Sequence, residues 1–171
     1  MLPSVRDASA ADAEAIARVA RASWTETYRD IFDTDFIERF LADAYDVERL
    51  AAAAERSAGR HDQQFLVAER DGAVVAFAQY GEGRRGPELF RIYADPAHYG
   101  TGAGSALLAE LHRRLEGRVA SYVLDVHSRN VRGRAFYDRN GFVVVGGGDT
   151  PDCDLTLRRT LAEPRPDRAD L

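Results

Sequence analysis

The chain predicts a mixed α/β fold: one mostly antiparallel sheet built around a central parallel β-α-β unit, with helices on both faces. Three observations carry this. "QQFLVAERDGAVVAFAQYGEG" is two β-rich runs flanking Asp71-Gly72, a pair that accepts the positive φ angles of a tight type I′ hairpin turn. "ELFRIYA", a glycine-rich turn, an amphipathic helical run and "ASYVLDV" then follow as strand, loop, helix and strand, which calls for a parallel, right-handed crossover. Helical patterns before the hairpin and after the crossover supply the layers that cover the sheet.

Taken in order, Ser9 stands three residues before Asp12, a capping-box pattern, and Ile16, Val19, Ala20 and Trp24 follow at helical spacing. "DFIERFL" and "DVERLAAAAERS" read as two further short helices. After the hairpin, Pro96 ends the strand "ELFRIYA" because proline has no N–H to give a ladder. Leu107, Leu108, Leu111 and Leu115 form one apolar stripe on the crossover helix. "NVRGRAFYDRN" is a helix with Val131, Ala135 and Phe136 on its core side, and "GFVVVGG" and "DCDLTLRRT" are closing strands. Residues 1–162 read as one domain; the charged, proline-containing residues 163–171 read as a disordered tail.

Composition narrows the function. At 171 residues with 45% hydrophobic and 30% charged content, the chain is typical of a soluble globular domain. A net charge of -5 opposes nucleic-acid binding, which needs clustered positive charge. A single cysteine, Cys153, expected in a strand as a small buried residue, excludes an internal disulfide and fits a reducing, cytoplasmic location. No run approaches the length of a membrane span. His61, His98, His112 and His127 lack metal-ligand spacing, so no metal site is expected. All 23 basic residues are arginine.

The segment "ADPAHYGTGAGSALLAELHRRL" puts Gly100, Gly102 and Gly104 at the mouth of a helix. A helix N-terminus presents unpaired N–H groups and a partial positive charge, and glycines let a bulky anion come close. Phosphate is the natural guest. The ATP-binding loop requires a lysine, which this chain lacks entirely. The dinucleotide fingerprint fails too, since its third glycine would fall on Ser105 or Leu107. A pyrophosphate held mostly by backbone remains, beside the plainer reading of a flexible loop entering an ordinary helix.

A second constellation lies in "NVRGRAFYDRNGF". Asn130, Gly133, Arg134 and Tyr137 fall along one helical face, where Gly133 would admit a ligand. Read alone, Tyr137 is a core tyrosine with a satisfied hydroxyl and Asn130 a simple N-cap.

Together the two segments resemble the GNAT superfamily of acyl-CoA-dependent N-acyltransferases. "YADPAHYGTGAGSALL" is similar to that family's cofactor loop, and "LDVHSRNVRGRAFYDRNGF" to its asparagine and F-Y-x-x-x-G-F motif. "VRDASAADAEAIARVA" and "ASWTETYRDIF" are similar to a common bacterial branch, and the likeness spans about residues 4 to 160. One departure stands out. Where the family usually carries arginine or glutamine before the first loop glycine, this chain has Tyr99, preceded by His98. The resemblance implies acetyl-CoA as cofactor, with its pyrophosphate on Tyr99, Gly100, Thr101, Gly102, Ala103, Gly104 and Ser105. Its pantetheine would run along Ile92, Tyr93 and Ala94, with Asn130, Arg132, Arg134 and Tyr137 completing the site, and Arg132 or Arg134 would replace the missing loop cation. An amine, from a small molecule or a peptide, would attack the thioester directly. Tyr137 would protonate the leaving thiolate and Glu88, or else Glu82, would take the proton of the ammonium. Trp24 and Tyr28 would wall the acceptor pocket, or else pack the core. Homodimers are common among such proteins. A non-catalytic acyl-CoA sensor and a protein-directed acetyltransferase stand as alternatives.

Overall fold

The computed structural model describes residues 2–148, 150 and 152–161; the expected tail, 163–171, lies outside them. The elements run β1 (Ser4–Asp7), α1 (Ala13–Tyr28), α2 (Thr34–Ala44), α3 (Val47–Ser57), β2 (Gln64–Arg70), β3 (Ala73–Gly83) and β4 (Gly86–Ala94). There follow α4 (Ala103–Leu115), β5 (Ser121–His127), α5 (Val131–Arg139), β6 (Val143–Gly147) and β7 (Asp154–Thr160). The seven strands form one sheet in the order β1-β2-β3-β4-β5-β7-β6. Every neighbouring pair is antiparallel except β4 and β5. The expected fold class holds, with the parallel pair produced by the α4 crossover.

The Asp71-Gly72 turn has φ of 52° and 78°, the double positive angle that the hairpin required. The capping box forms as well. The Ser9 N–H donates to Asp12 Oδ2 at 2.7 Å, and Arg6 adds a two-pronged ion pair to the same carboxylate. The Arg6 guanidinium draws the Asp12 pKa down to about 2.

Two cores lie on the two faces of the sheet. Helices α1, α2 and α3 close one over Ile16, Val19, Leu41, Leu50, Phe65, Val67 and Phe77. Helix α4 closes the other with its leucine stripe, Leu107, Leu108, Leu111 and Leu115, against Leu66, Tyr80, Tyr122 and Leu124. Each such leucine, fully buried, is worth roughly 1.5–3 kcal/mol of transfer free energy.

Several local expectations are corrected. Strand β1 is too short for periodicity to reveal; its identity comes from pairing with β2. The last two strands do not close in chain order, for β7 inserts between β5 and β6. Helix α5 has no fully buried residue. Val131 is 73% exposed and Ala135 is exposed as well, leaving Phe136 and Tyr137 to face the core. Cys153 sits half-buried just before β7, where its Sγ accepts the Gly148 N–H at 3.2 Å.

Candidate active site

Strand β4 pairs with β3 from Gly86 to Ala94, but with β5 only at Glu88–Val123. Beyond that pair the two strands part. Their separation leaves the β5-facing edge of β4 free of strand partners, and an extended chain can add there by ordinary strand hydrogen bonding. A cavity of about 370 Å³ opens in the gap, lined by Ile92, Tyr93 and Ala94 from β4 and by Asp125 and Val126 from β5.

The loop before α4 forms one end of this cavity. Gly100 and Gly102 have φ of 75° and 87°, left-handed angles that a side chain resists, and neither has a neighbour that a Cβ would strike. Their requirement is conformational. Gly104 differs: its φ is ordinary, but a Cβ there would come within 3.1 Å of the Phe136 ring, so the glycine lets α4 approach α5. Gly102 is the N-cap of α4, and no side chain caps the helix. The amides of its first turn are thus left for an external anion, at the positive end of the helix dipole.

Helix α5 forms the opposite wall. Asn130 caps it, its Oδ1 accepting the Gly133 N–H at 2.9 Å. A Cβ on Gly133 would lie 2.6 Å from the Asn130 amide nitrogen, so Gly133 is glycine because the cap folds over it. This replaces the expectation that Gly133 makes room chiefly for a ligand, although it does line the cavity. Tyr137 projects into the same space, its ring set edge-on to Phe136 and Phe142. Burial pushes its phenol pKa well above the ordinary value of 10. The hydroxyl therefore keeps its proton at any physiological pH and is available as a donor. Tyr93 and Tyr28, also on the cavity wall, are shifted upward for the same reason.

Nearly all the residues expected at the cofactor line this one cavity: Ile92, Tyr93, Ala94, Tyr99, Gly100, Gly102, Ala103, Gly104, Ser105, Asn130, Arg132 and Tyr137. Two do not. The Thr101 hydroxyl turns back to the His98 carbonyl at 2.7 Å. Arg134 donates to the Ser128 carbonyl at 2.9 Å and borders a separate groove beside β6. Arg132, by contrast, lies over the Tyr99 ring, 4.5 Å from its centroid, beside the glycine loop. A cation thus stands where the loop sequence lacks one, held by the aromatic residue that replaced it.

The acceptor side is built differently. Tyr28 reaches the cavity but Trp24 does not; Trp24 is 8% exposed, stacks on Phe40 at 4.1 Å and meets Tyr28 at a tilt, 4.3 Å between centroids. The ladder continues through Phe32 and Phe36, with Phe32 4.8 Å from Phe36 and 5.6 Å from Tyr28. His127 meets Tyr28 and Phe32 edge-on from β5. Sequence reading passed over Phe32, Phe36 and Phe40; Phe36 and Phe40 lie one turn apart on α2, and Phe32 precedes that helix. It also passed over Asp125 and Arg139, which line the cavity, and gave no site role to His98, which lines it too.

Glu88 stands away from the cavity wall. Its carboxylate packs over Gly83 and lies 3.3 Å from Arg85 Nη2. Arg85 also grips Asp125 with both nitrogens, at 2.8 and 3.1 Å, and the Thr156 hydroxyl donates to the same carboxylate at 2.7 Å. Glu82 is exposed near the end of β3. Among the described residues no group of three or more His, Cys, Asp or Glu could hold a metal ion, and no helix is long and apolar enough to cross a membrane.

Comparison with known proteins accords with this geometry. A profile of the Acetyltransferase (GNAT) family matches residues 22–142. The chain is 31% identical over 156 residues to spermidine N(1)-acetyltransferase of Thermoplasma acidophilum, covering 91% of this chain and 95% of that protein. Its structure resembles that of the PaiA N-acetyltransferase of Thermoplasma acidophilum in complex with coenzyme A. The TM-score is 0.85 with 29% identity, over 94% of this chain and 99% of the other. A GCN5-related N-acetyltransferase from Rhodopseudomonas palustris shares the fold at a TM-score of 0.75 and 20% identity, over 94% and 97% of the two chains. With the family profile over residues 22–142 and a relative 31% identical over 91% of its length, the chain belongs to the GNAT family of N-acetyltransferases, with acetyl-CoA as its cofactor.

Proposed function

We propose that the protein acetylates a primary amine of a small aliphatic polyamine by direct attack on the thioester. The observation that carries this reading is the acceptor side of the cavity. Tyr28, on the cavity wall with its ring 5.6 Å from that of Phe32, supplies an apolar surface for a methylene chain. Asp125, on the wall of the same cavity as Tyr28, supplies negative charge for ammonium groups. The likeness to a spermidine N(1)-acetyltransferase over 95% of that protein's length supports the same class of acceptor.

The residues of this chain divide the work as follows. The first-turn amides of α4, from Ala103 to Ser105, together with Arg132, hold the pyrophosphate. The free edge of β4 at Ile92–Ala94 pairs with the pantetheine arm. Bound acetyl-CoA supplies the acyl thioester. Tyr137 holds a proton that burial keeps in place, and gives it to the departing sulfur. Glu88, the base that sequence suggested, is tied to Arg85 off the cavity wall. In this reading the ammonium proton leaves through water at the cavity mouth, and Glu88 acts by its charge.

Thiol release from acetyl-CoA tests the reading, with a panel of monoamines, diamines, spermidine and short peptides, and products identified by mass. Mono-acetylated polyamine as the best product supports it. Turnover confined to peptide N-termini overturns it, as does cofactor binding without turnover of any amine.

A further inference from the structure

Arg85 holds an unusual post for a residue that touches neither expected ligand. It lies in the tight connection between β3 and β4, and its guanidinium reaches across to β5. There it contacts Asp125 Oδ1 and Oδ2, Glu88 Oε1 and Thr156 Oγ1, so four oxygens from β4, β5 and β7 converge on one cation. Asp125 is also part of the cavity wall. The two carboxylates stand beside the point where β4 and β5 begin to part, since Glu88 belongs to the one register pair that joins these strands.

The contact is open to exchange. Arg85 and Asp125 side chains are 42% and 40% exposed, and an ion pair in that setting contributes little net stability. Glu88 is less accessible, at 18%, and packs over Gly83, so its carboxylate stays in place whatever Arg85 does. The Thr156 hydroxyl, which accepts from Arg85 Nη1 at 3.0 Å, donates to Asp125 Oδ1 and so gives the second carboxylate a partner besides the arginine. Remove the guanidinium and two carboxylates remain, Asp125 on the wall of the cavity that Tyr28 also lines and Glu88 off that wall, packed over Gly83. An amine with a single charge, reacting at the thioester, has no second cation to place there. A diamine does.

We propose that Arg85 is a displaceable internal counter-cation, which yields Asp125 and Glu88 to the distal ammonium of a di- or polyamine and thereby makes distal charge the property this enzyme selects. The proposal rests on the polyamine reading above and names the residues that enforce it. No bond is made or broken in the exchange: one cation leaves two carboxylates as another arrives.

The test is the ratio of kcat/KM for 1,4-diaminobutane to that for 1-aminobutane, measured on the whole protein with saturating acetyl-CoA. D125N lowers that ratio about tenfold, the loss of one charge-assisted contact. R85Q, which removes the competitor, raises the ratio through a lower diamine KM. R85K, which keeps a cation in place, returns it toward the wild-type value, a rescue that a merely structural arginine would not show. A wild type that prefers the monoamine, or turns over neither, defeats the polyamine reading and this proposal with it. A wild type that prefers the diamine, with a ratio that moves in neither D125N nor R85Q, leaves the polyamine reading standing and overturns the role of Arg85. Circular dichroism on each variant separates a lost contact from a lost fold, and R85Q, at an exposed turn, decides the question if D125N does not fold.

Discussion

The two halves of the proposed active site are made of different material. The cofactor half is backbone: uncapped amides at the start of α4, an unpaired strand edge on β4, and glycines placed so that the chain can turn and approach. The proposed acceptor half is side chain: Tyr28 from α1 and Asp125 from β5, with Arg85 reaching Asp125 from a turn. Backbone recognition needs a local conformation, which a short run of sequence can encode and a family can share. Side-chain recognition draws on residues up to 100 positions apart, and each can change without disturbing the fold. One scaffold can therefore keep a single cofactor while its acceptors diverge.

The largest expected effect falls at Tyr137, where the two halves meet. Y137F removes the proton at the sulfur and keeps the ring that packs on Phe136 and Phe142. We expect kcat to fall about 100-fold with little change in the KM for acetyl-CoA, in the range typical of a lost general acid. The pH profile adds a second reading. The phenol pKa is raised by burial, so Tyr137 remains protonated past pH 10, and a fall in kcat below that pH has another source. An unchanged kcat in Y137F would reduce the tyrosine to a packing residue.

The next test separates two arginines that sequence could not rank. Arg132 lies on the Tyr99 ring at the cavity, and Arg134 is turned to a backbone carbonyl beside another groove. R132A should raise the KM for acetyl-CoA roughly tenfold, about 1.4 kcal/mol for one charged contact to phosphate. R134A should move it much less, and Arg134 serves as the internal control. Equal effects would mean that general positive charge, rather than the perch on Tyr99, substitutes for the missing loop cation.

How far the sequence speaks follows the same division. The hairpin turn, the capping box, the leucine stripe of α4 and the glycine loop were all legible, because each is a local rule written in adjacent residues. Tyr137 and Asn130 were singled out by the resemblance of their helix to the family motif, since their spacing alone fits a core tyrosine and an N-cap equally well. Asp125 was not, since a lone aspartate in the strand "SYVLDVH" carries no sign of the cavity that a distant strand opens beside it. Nor did sequence tell that Arg85 would bind Glu88 before any amine could, for that contact depends on the reach of a turn across a parallel pair. Strand β6 was read in place, but its edge position follows from β7 entering the sheet between it and β5. Strand order of that kind is a tertiary fact.

The smallest effect concerns stability, and it too belongs to the cofactor half. His112, in the last turn of α4, meets the Tyr122 hydroxyl through Nε2 at 2.8 Å. The Tyr122 phenol is held protonated by burial, so the tyrosine donates and the histidine nitrogen accepts. Burial and then the nearby Arg159 disfavour the imidazolium, and its pKa drops to about 4. Protonation would require Nε2 to become a donor and give up the bond it accepts. A group depressed in this way binds its proton more readily in the unfolded chain, so its contribution is complete above pH 6.5 and drains away as pH falls toward 4. Thermal unfolding should therefore show a midpoint that declines across that window. H112Q presents an amide that can accept from Tyr122 and has no proton to gain, so its decline should be shallower than that of the wild type. Identical curves would place the acid sensitivity elsewhere, and not at Asp12, whose carboxylate is held down to about 2 by Arg6 and whose contribution is lost only below the window in question.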